Sequence, residues 1–371
     1  MDLKKMGEIL EQPASIRLLF LILFLFLATA GLWIRPTLFG VDSYSTLSFI
    51  RYHWADTLGN QPFANFFFVL IPDSMILIKL IMFLSIVAAV IPIWLLVRKF
   101  YDERAAWISI FFLMTLSPIV LFGFGEFENE IFAYPLIAWG IYLFMTKKYW
   151  GAVTAITGAT LFWKWPYYLT FFNESSSRIV EMQMFSGLIN AWALIPFLFF
   201  IPLLKKGRAA IFGIIAIIFW LINAKLFIFL IPFVALAIPK GLDLLQKYPT
   251  IKLSLYILAF CGLIGWNIAF FMQQPTQNDL VFVSESIQLA RDTNLPLYND
   301  PSFGYWIMAQ GFKTPYNPGS DLNPPGAWEV IKGHWLALPG IYLTEKEMPP
   351  CTLIKTQKDI GRTKRNIFQC N

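Results

Sequence analysis

The chain has 371 residues, of which 57% are hydrophobic, 18% aromatic and only 14% charged, and its mean hydropathy is +0.59. These values exclude a soluble globular protein and predict a polytopic membrane protein. A net charge of +6 would suggest nucleic acid in a soluble domain. Here Lys and Arg cluster between apolar runs, where they orient membrane segments, so no nucleic-acid partner is read from them.

In chain order, Lys4, Lys5 and Arg17 precede the run "LLFLILFLFLATAGLWI". Ala28-Thr29-Ala30 resembles a signal-peptidase site, but the run continues to Ile34 and is long enough to cross a bilayer. It is read as a retained first helix, and residue 42 falls on the same side either way. Further apolar segments lie near residues 76 to 97, 105 to 123, 131 to 146, 150 to 172, 187 to 204, 209 to 224, 226 to 239 and 251 to 272. Together they predict roughly nine spans, of which the seventh and eighth could form one broken hairpin.

With the N-terminus in the cytoplasm, the inner loops carry Arg98, Lys99 and Arg104; Lys147 and Lys148; Lys205, Lys206 and Arg208; and Lys240, Lys247 and Lys252. Basic residues at every even-numbered turn match the positive-inside rule. The odd span count leaves the C-terminal tail outside. Residues 1–272 are therefore expected to form a transmembrane domain. Residues 273–371, of ordinary polarity, are expected to form a small extracytoplasmic α/β domain: a helix over "SESIQLARDTN", a strand over "LPLYND", a helix over "GYWIMAQG", then β-rich sequence. Three cysteines are too few for a disulfide framework or a zinc site. Cys261 lies in an apolar segment, and Cys351 can bridge to Cys370 only if the tail meets an oxidising compartment.

The outer loops hold an unusual set of acids: Asp42, Asp56, Glu126, Glu128, Glu130, Glu174 and Glu181. Carboxylates at a membrane boundary are costly unless paired, hydrated or bound to a cation. Acids in the first turn of a helix can simply cap it, which would account for Glu128 and Glu130. The alternation in "GEFENE" is harder to explain as capping, because successive unpaired carboxylates repel unless a cation lies between them. An all-oxygen set selects a hard ion, Mg2+ or Mn2+. At a lipid surface such an ion suits the departure of a lipid-linked phosphate or diphosphate. Lys225, Lys164, Arg178 and Arg51 are candidates to meet that phosphate, with snorkelling to the interface as the plain reading of the lysines.

Several stretches resemble motifs of the oligosaccharyltransferase catalytic subunit family, of the archaeal and bacterial single-subunit type, within the GT-C glycosyltransferase superfamily. "GVDSYSTLSFIRYH" looks like its first-loop acidic motif, and "FENE" its second acid-x-acid motif. "SSSRIVEMQ" is similar to its Thr-Ile-x-Glu loop, with Arg178 in place of the threonine. "YNDPSFGYWI" resembles the Trp-Trp-Asp-Tyr-Gly-Tyr-Trp motif that opens its soluble domain. The family has more spans than the roughly nine here. Tyr298 and Asn299 replace two of its tryptophans, and Pro301 and Ser302 are inserted. These departures bear more on the asparagine acceptor than on the GT-C scaffold.

The resemblance implies that Asp42, Glu128, Glu130 and Glu181 hold a divalent cation, with Asp42 and Glu181 catalytic. It implies that Glu181, Tyr298, Asn299 and Asp300 bind the acceptor, and it leaves Lys225, Arg178 and Lys164 for the lipid phosphate. The expected function is transfer of a glycan from a polyprenyl (di)phosphate carrier to an extracytoplasmic acceptor, most readily protein asparagine. The expected location is a cell membrane or equivalent endomembrane, with the active site on the outside. An alternative within the superfamily uses a monophosphate carrier and a hydroxyl acceptor, with Asp42 as general base. A transporter would show inverted repeats and polar midplane residues, which the sequence lacks. A non-catalytic scaffold would tolerate loss of Glu128 or Glu130.

Overall fold

A computed structural model describes residues 14–38, 42–52, 62–116, 127, 130–163, 166, 211, 213–215, 228–299, 301–312, 339–345, 347, 351–357 and 364–370. The described chain is mostly helical with one small sheet.

The first apolar run forms α1 (Ala14–Ala28) and α2 (Ala30–Ile34), broken at Thr29, whose hydroxyl donates to the Leu25 carbonyl at 2.9 Å. The break is held from a distant helix, α10 (Pro249–Gln273). Asn267 accepts the Gly31 N–H at 2.6 Å and donates to the Leu27 carbonyl at 3.2 Å, while Gln274 donates to the Gly31 carbonyl at 2.9 Å. A Cβ at residue 31 would overlap the backbone of Asn267, so glycine is what allows the two helices to close.

Four helices complete the centre of the apolar core: α5 (Met75–Phe100), α6 (Glu103–Leu116), α7 (Glu130–Met145) and α8 (Tyr149–Phe162). Ahead of them lie α3 (Asp42–Tyr52) and α4 (Pro62–Val69). Lys79 of α5 is buried and donates to the carbonyls of Leu32, at 2.5 Å, and Arg35. A cation thus closes the C-terminal end of α2, where unpaired carbonyls gather negative charge. At the opposite end of α5, Glu103 receives Arg17 and lies 3.7 Å from Arg98, so one carboxylate ties α1, α5 and α6 together. Helix α9 (Ile231–Leu244) packs into the same core.

The apolar segments expected near residues 15 to 34, 76 to 97, 131 to 146 and 251 to 272 are all helical. Of those near 105 to 123, 150 to 172 and 226 to 239, the parts 105–116, 150–162 and 231–239 are helical, and 117–123, 164–165, 167–172 and 226–227 lie outside the described residues. The segment 187 to 204 and most of 209 to 224 lie outside the described residues. Two helical stretches among the described residues, Met75–Phe100 and the apolar part of Pro249–Thr293, are long and apolar enough to cross a membrane.

The tail begins with α11 (Gln277–Thr293), opened by a reciprocal cap: Thr276 accepts the Asp279 N–H at 3.1 Å and Asp279 accepts the Thr276 N–H at 2.6 Å. It ends at Asn294, in the left-handed conformation. The helix starts earlier than the expected "SESIQLARDTN" because this cap sits two turns upstream of it. Strand β1 (Leu297–Asn299) and α12 (Pro301–Ala309) follow, and the second also starts earlier than expected, with a proline suited to a first helical turn. Strands β2 (Gly340–Thr344), β3 (Thr352–Gln357) and β4 (Arg365–Cys370) complete a sheet of order β1-β2-β4-β3. β1 and β2 run parallel; β2 with β4, and β4 with β3, run antiparallel. Cys351 and Cys370 are disulfide-bonded, closing β4 onto the approach to β3.

The tail shares its core with the segments around α3 and α4. Leu38, Tyr44, Phe68 and Phe127 pack in one cluster with Phe282, Leu297, Phe303, Ile341 and Ile367. The shared cluster fixes the tail against the first loop.

Candidate functional site

The site is framed by three segments that meet at α3. This helix begins at Asp42 and carries an inward face of Ser43, Tyr44, Leu47 and Ser48. Ser43 is fully buried, and its hydroxyl accepts the backbone N–H of Phe127 at 2.7 Å. Phe127 lies between Glu126 and Glu128 in sequence, and its ring packs edge-on against Phe68 at 5.4 Å. The residue after Asp42 is therefore bonded to the residue before Glu128. Three residues further on, α7 opens at Glu130, which is partly buried in its first turn.

The third segment is α12, which contains "FGYWI". Trp306 faces the Tyr44 ring at 6.1 Å, and Arg51 donates to the Ala309 carbonyl at 2.7 Å while pairing with Asp73 at 2.8 Å. Arg51, a candidate for a lipid phosphate, is thus a bracket between the first loop and the tail. Gly311, at φ 78°, turns the chain against the Tyr52 hydroxyl, where a Cβ would not fit. The Tyr44 hydroxyl accepts the Leu38 N–H at 3.2 Å, and burial pushes this phenol well above its ordinary value of 10.0.

Behind Trp306 stands Arg365 of β4, 5.4 Å from its ring and 5.6 Å from that of Phe303. Its guanidinium pairs with Asp279, and both are buried, at 8% and 1% exposure. Such a pair is costly to strip of water and holds only with good geometry and further partners. Asp279 also caps α11, and Gln357 donates to it at 3.4 Å. A continuous series of contacts runs from β4 through Arg365, Trp306 and Tyr44 to the start of α3.

Of the residues expected to form the site, Glu130 is described with its side chain, and Asp42 is placed as the first residue of α3 with its side chain outside the described residues. Glu128, Glu181, Asp300, Arg178, Lys164 and Lys225 also lie outside them. Tyr298 and Asn299 are described and buried within β1. The Tyr298 ring lies 4.8 Å from that of Tyr342 on the neighbouring strand. Arg365 carries no sequence signal of its own, whereas Ser43 and Trp306 fall within "GVDSYSTLSFIRYH" and "YNDPSFGYWI" but take their roles from partners distant in the chain. The Thr276-x-x-Asp279 cap does match a recognisable helix-start pattern.

Ser43 and Phe127, the sequence neighbours of Asp42 and Glu128, are bonded to each other. Among the described residues no group of three His, Cys, Asp or Glu side chains comes together, and of the expected ligands only Glu130 has its side chain among them. Comparisons with protein families, with curated proteins and with solved structures find no match.

Proposed function

We propose that the chain is a polytopic membrane glycosyltransferase on a GT-C-like scaffold of roughly nine transmembrane helices, passing a glycan from a polyprenyl (di)phosphate carrier to an extracytoplasmic acceptor. The observation that carries the reading is the hydrogen bond from Phe127 to Ser43. It joins the residue after Asp42 to the residue before Glu128, 84 positions apart, and so supports a reading in which the two acidic motifs face one site. The packing of α12 on α3 supports a common side for the first loop and the tail. The Cys351–Cys370 disulfide supports an oxidising, extracytoplasmic location for that side.

In this reading Asp42 and Glu181 hold and polarise the acceptor carboxamide, a poor nucleophile, so that it attacks the anomeric carbon opposite the lipid phosphate with inversion. Lys225, Arg178 and Lys164 meet the departing phosphate. Mg2+ or Mn2+, held by Asp42, Glu128, Glu130 and Glu181, would supply charge neutralisation to the leaving group when bound. The test is transfer from a lipid-linked sugar to an Asn-x-Thr peptide by native protein and by Asp42→Ala, with and without Mn2+. Turnover confined to native protein with Mn2+ supports the proposal; absence of turnover with every carrier tried would refute it.

One observation favours the hydroxyl-acceptor alternative. Tyr298 and Asn299 are buried in the sheet, a poor position for reading a peptide. In that version Asp42 is a general base, and turnover would continue in the presence of a chelator.

A further inference from the structure

Helix α4 has its apolar faces the wrong way round for a loop in water. Ala64 and Phe68 point inward and are fully buried. The outer side presents Phe63, Phe66 and Val69, followed by Leu70, with Phe66 at 59% and Leu70 at 63% exposure. The sole polar side chain of α4 is Asn65, and no charged residue occurs from Pro62 to Pro72. A water-facing helix carries its polar residues outward. An exposed aromatic face of this kind marks an interaction surface.

The position of α4 says what covers it. Phe63 meets Phe162, the last residue of α8, edge-on at 5.2 Å, and Phe67 meets it tilted at 5.3 Å. Phe67 and Phe68 meet Phe132, in the first turn of α7, at 6.2 and 5.5 Å. Chain connection brings α4 to the start of α5 within six residues. The helix therefore lies across the same ends of three apolar helices. Its exposed face continues down α5 through Ile76, Leu80 and Leu84, one residue per turn, with Ile76 at 78% exposure. Asp73, which lies between the two stretches in sequence, is paired with Arg51 of α3.

We infer that α4 is an interfacial helix whose Phe66 face inserts into the acyl region of the outer leaflet. It would anchor α3, and with it Asp42, at the level of the lipid headgroups. The inference rests on the membrane part of the proposed function and not on its chemistry. An apolar helix face of this type sits roughly 5–10 Å into the headgroup and acyl boundary.

The test is nitroxide accessibility in full-length protein reconstituted in phosphatidylcholine and phosphatidylglycerol vesicles. Labels are placed in a Cys261→Ser background at Phe66→Cys, Ile76→Cys, Leu84→Cys and, as the aqueous reference, Glu347→Cys. Labels at 66 and 76 should collide more with oxygen than with a water-soluble nickel chelate, at a shallower depth than the label at 84. The label at 347 should show the reverse. If 84 reads as lipid-exposed while 66 and 76 are open to nickel, or closed to both agents, the interfacial helix is refuted and the membrane reading stands. A label at 84 open to nickel would remove both.

Discussion

The hydroxyl of Ser43 accepts the backbone N–H of Phe127 at 2.7 Å, with both residues fully buried. This bond is the junction between the helix that Asp42 opens and the stretch that contains Glu128. Ser43→Ala leaves that N–H without its partner in a dry site, which costs about 1–3 kcal/mol. The variant should melt at a lower temperature than native protein, and Ser43→Thr, which keeps the hydroxyl, should recover most of the loss. Equal melting of Ser43→Ala and native protein would mean that the bond does not hold the two segments.

The buried pair Arg365–Asp279 should be the most sensitive point of the tail. Removing one partner of a buried ion pair strands the other charge, at about 3–5 kcal/mol. Arg365→Ala and Asp279→Ala should each destabilise by that order in denaturant titration. Arg365→Lys should rescue poorly, since an ammonium lacks the planar face that lies over Trp306 and Phe303. Full rescue by lysine would show that only charge matters there.

In the proposed topology, the tail disulfide reports the side of the membrane on which the tail lies. Protein alkylated during isolation without reductant should present one reactive thiol, Cys261, and three after reduction, because Cys351 and Cys370 are bonded. The bridge joins residues 19 apart, and Cys351→Ser should cost roughly 3 kcal/mol by removing that constraint on the unfolded chain. Three free thiols before reduction would place the tail in a reducing compartment and contradict the proposed topology.

Local pattern made much of the fold legible. The apolar run to Ile34 and the helices at Met75–Phe100 and Pro249–Gln273 follow from length and composition alone. The tail helices begin earlier than expected, at Thr276 and Pro301, because a cap and a proline set each start. What the sequence hides is long-range pairing. Neither Gly31 against Asn267 nor Arg365 against Trp306 has a periodicity to reveal it, since both are choices of packing between distant segments. Of the candidate site, the acids stand out because carboxylates are rare in such a chain, whereas Ser43 is an ordinary helix-start residue until Phe127 arrives beside it.

The central claim is that acids from separate chain segments form one site, and Mn2+ binding to the detergent-solubilised protein tests it most directly. The account predicts one ion per chain, lost on Asp42→Ala and equally on Glu128→Gln, while Asp243→Asn, on the far side of the core, leaves it intact. No saturable binding, or binding that survives both substitutions, would contradict it.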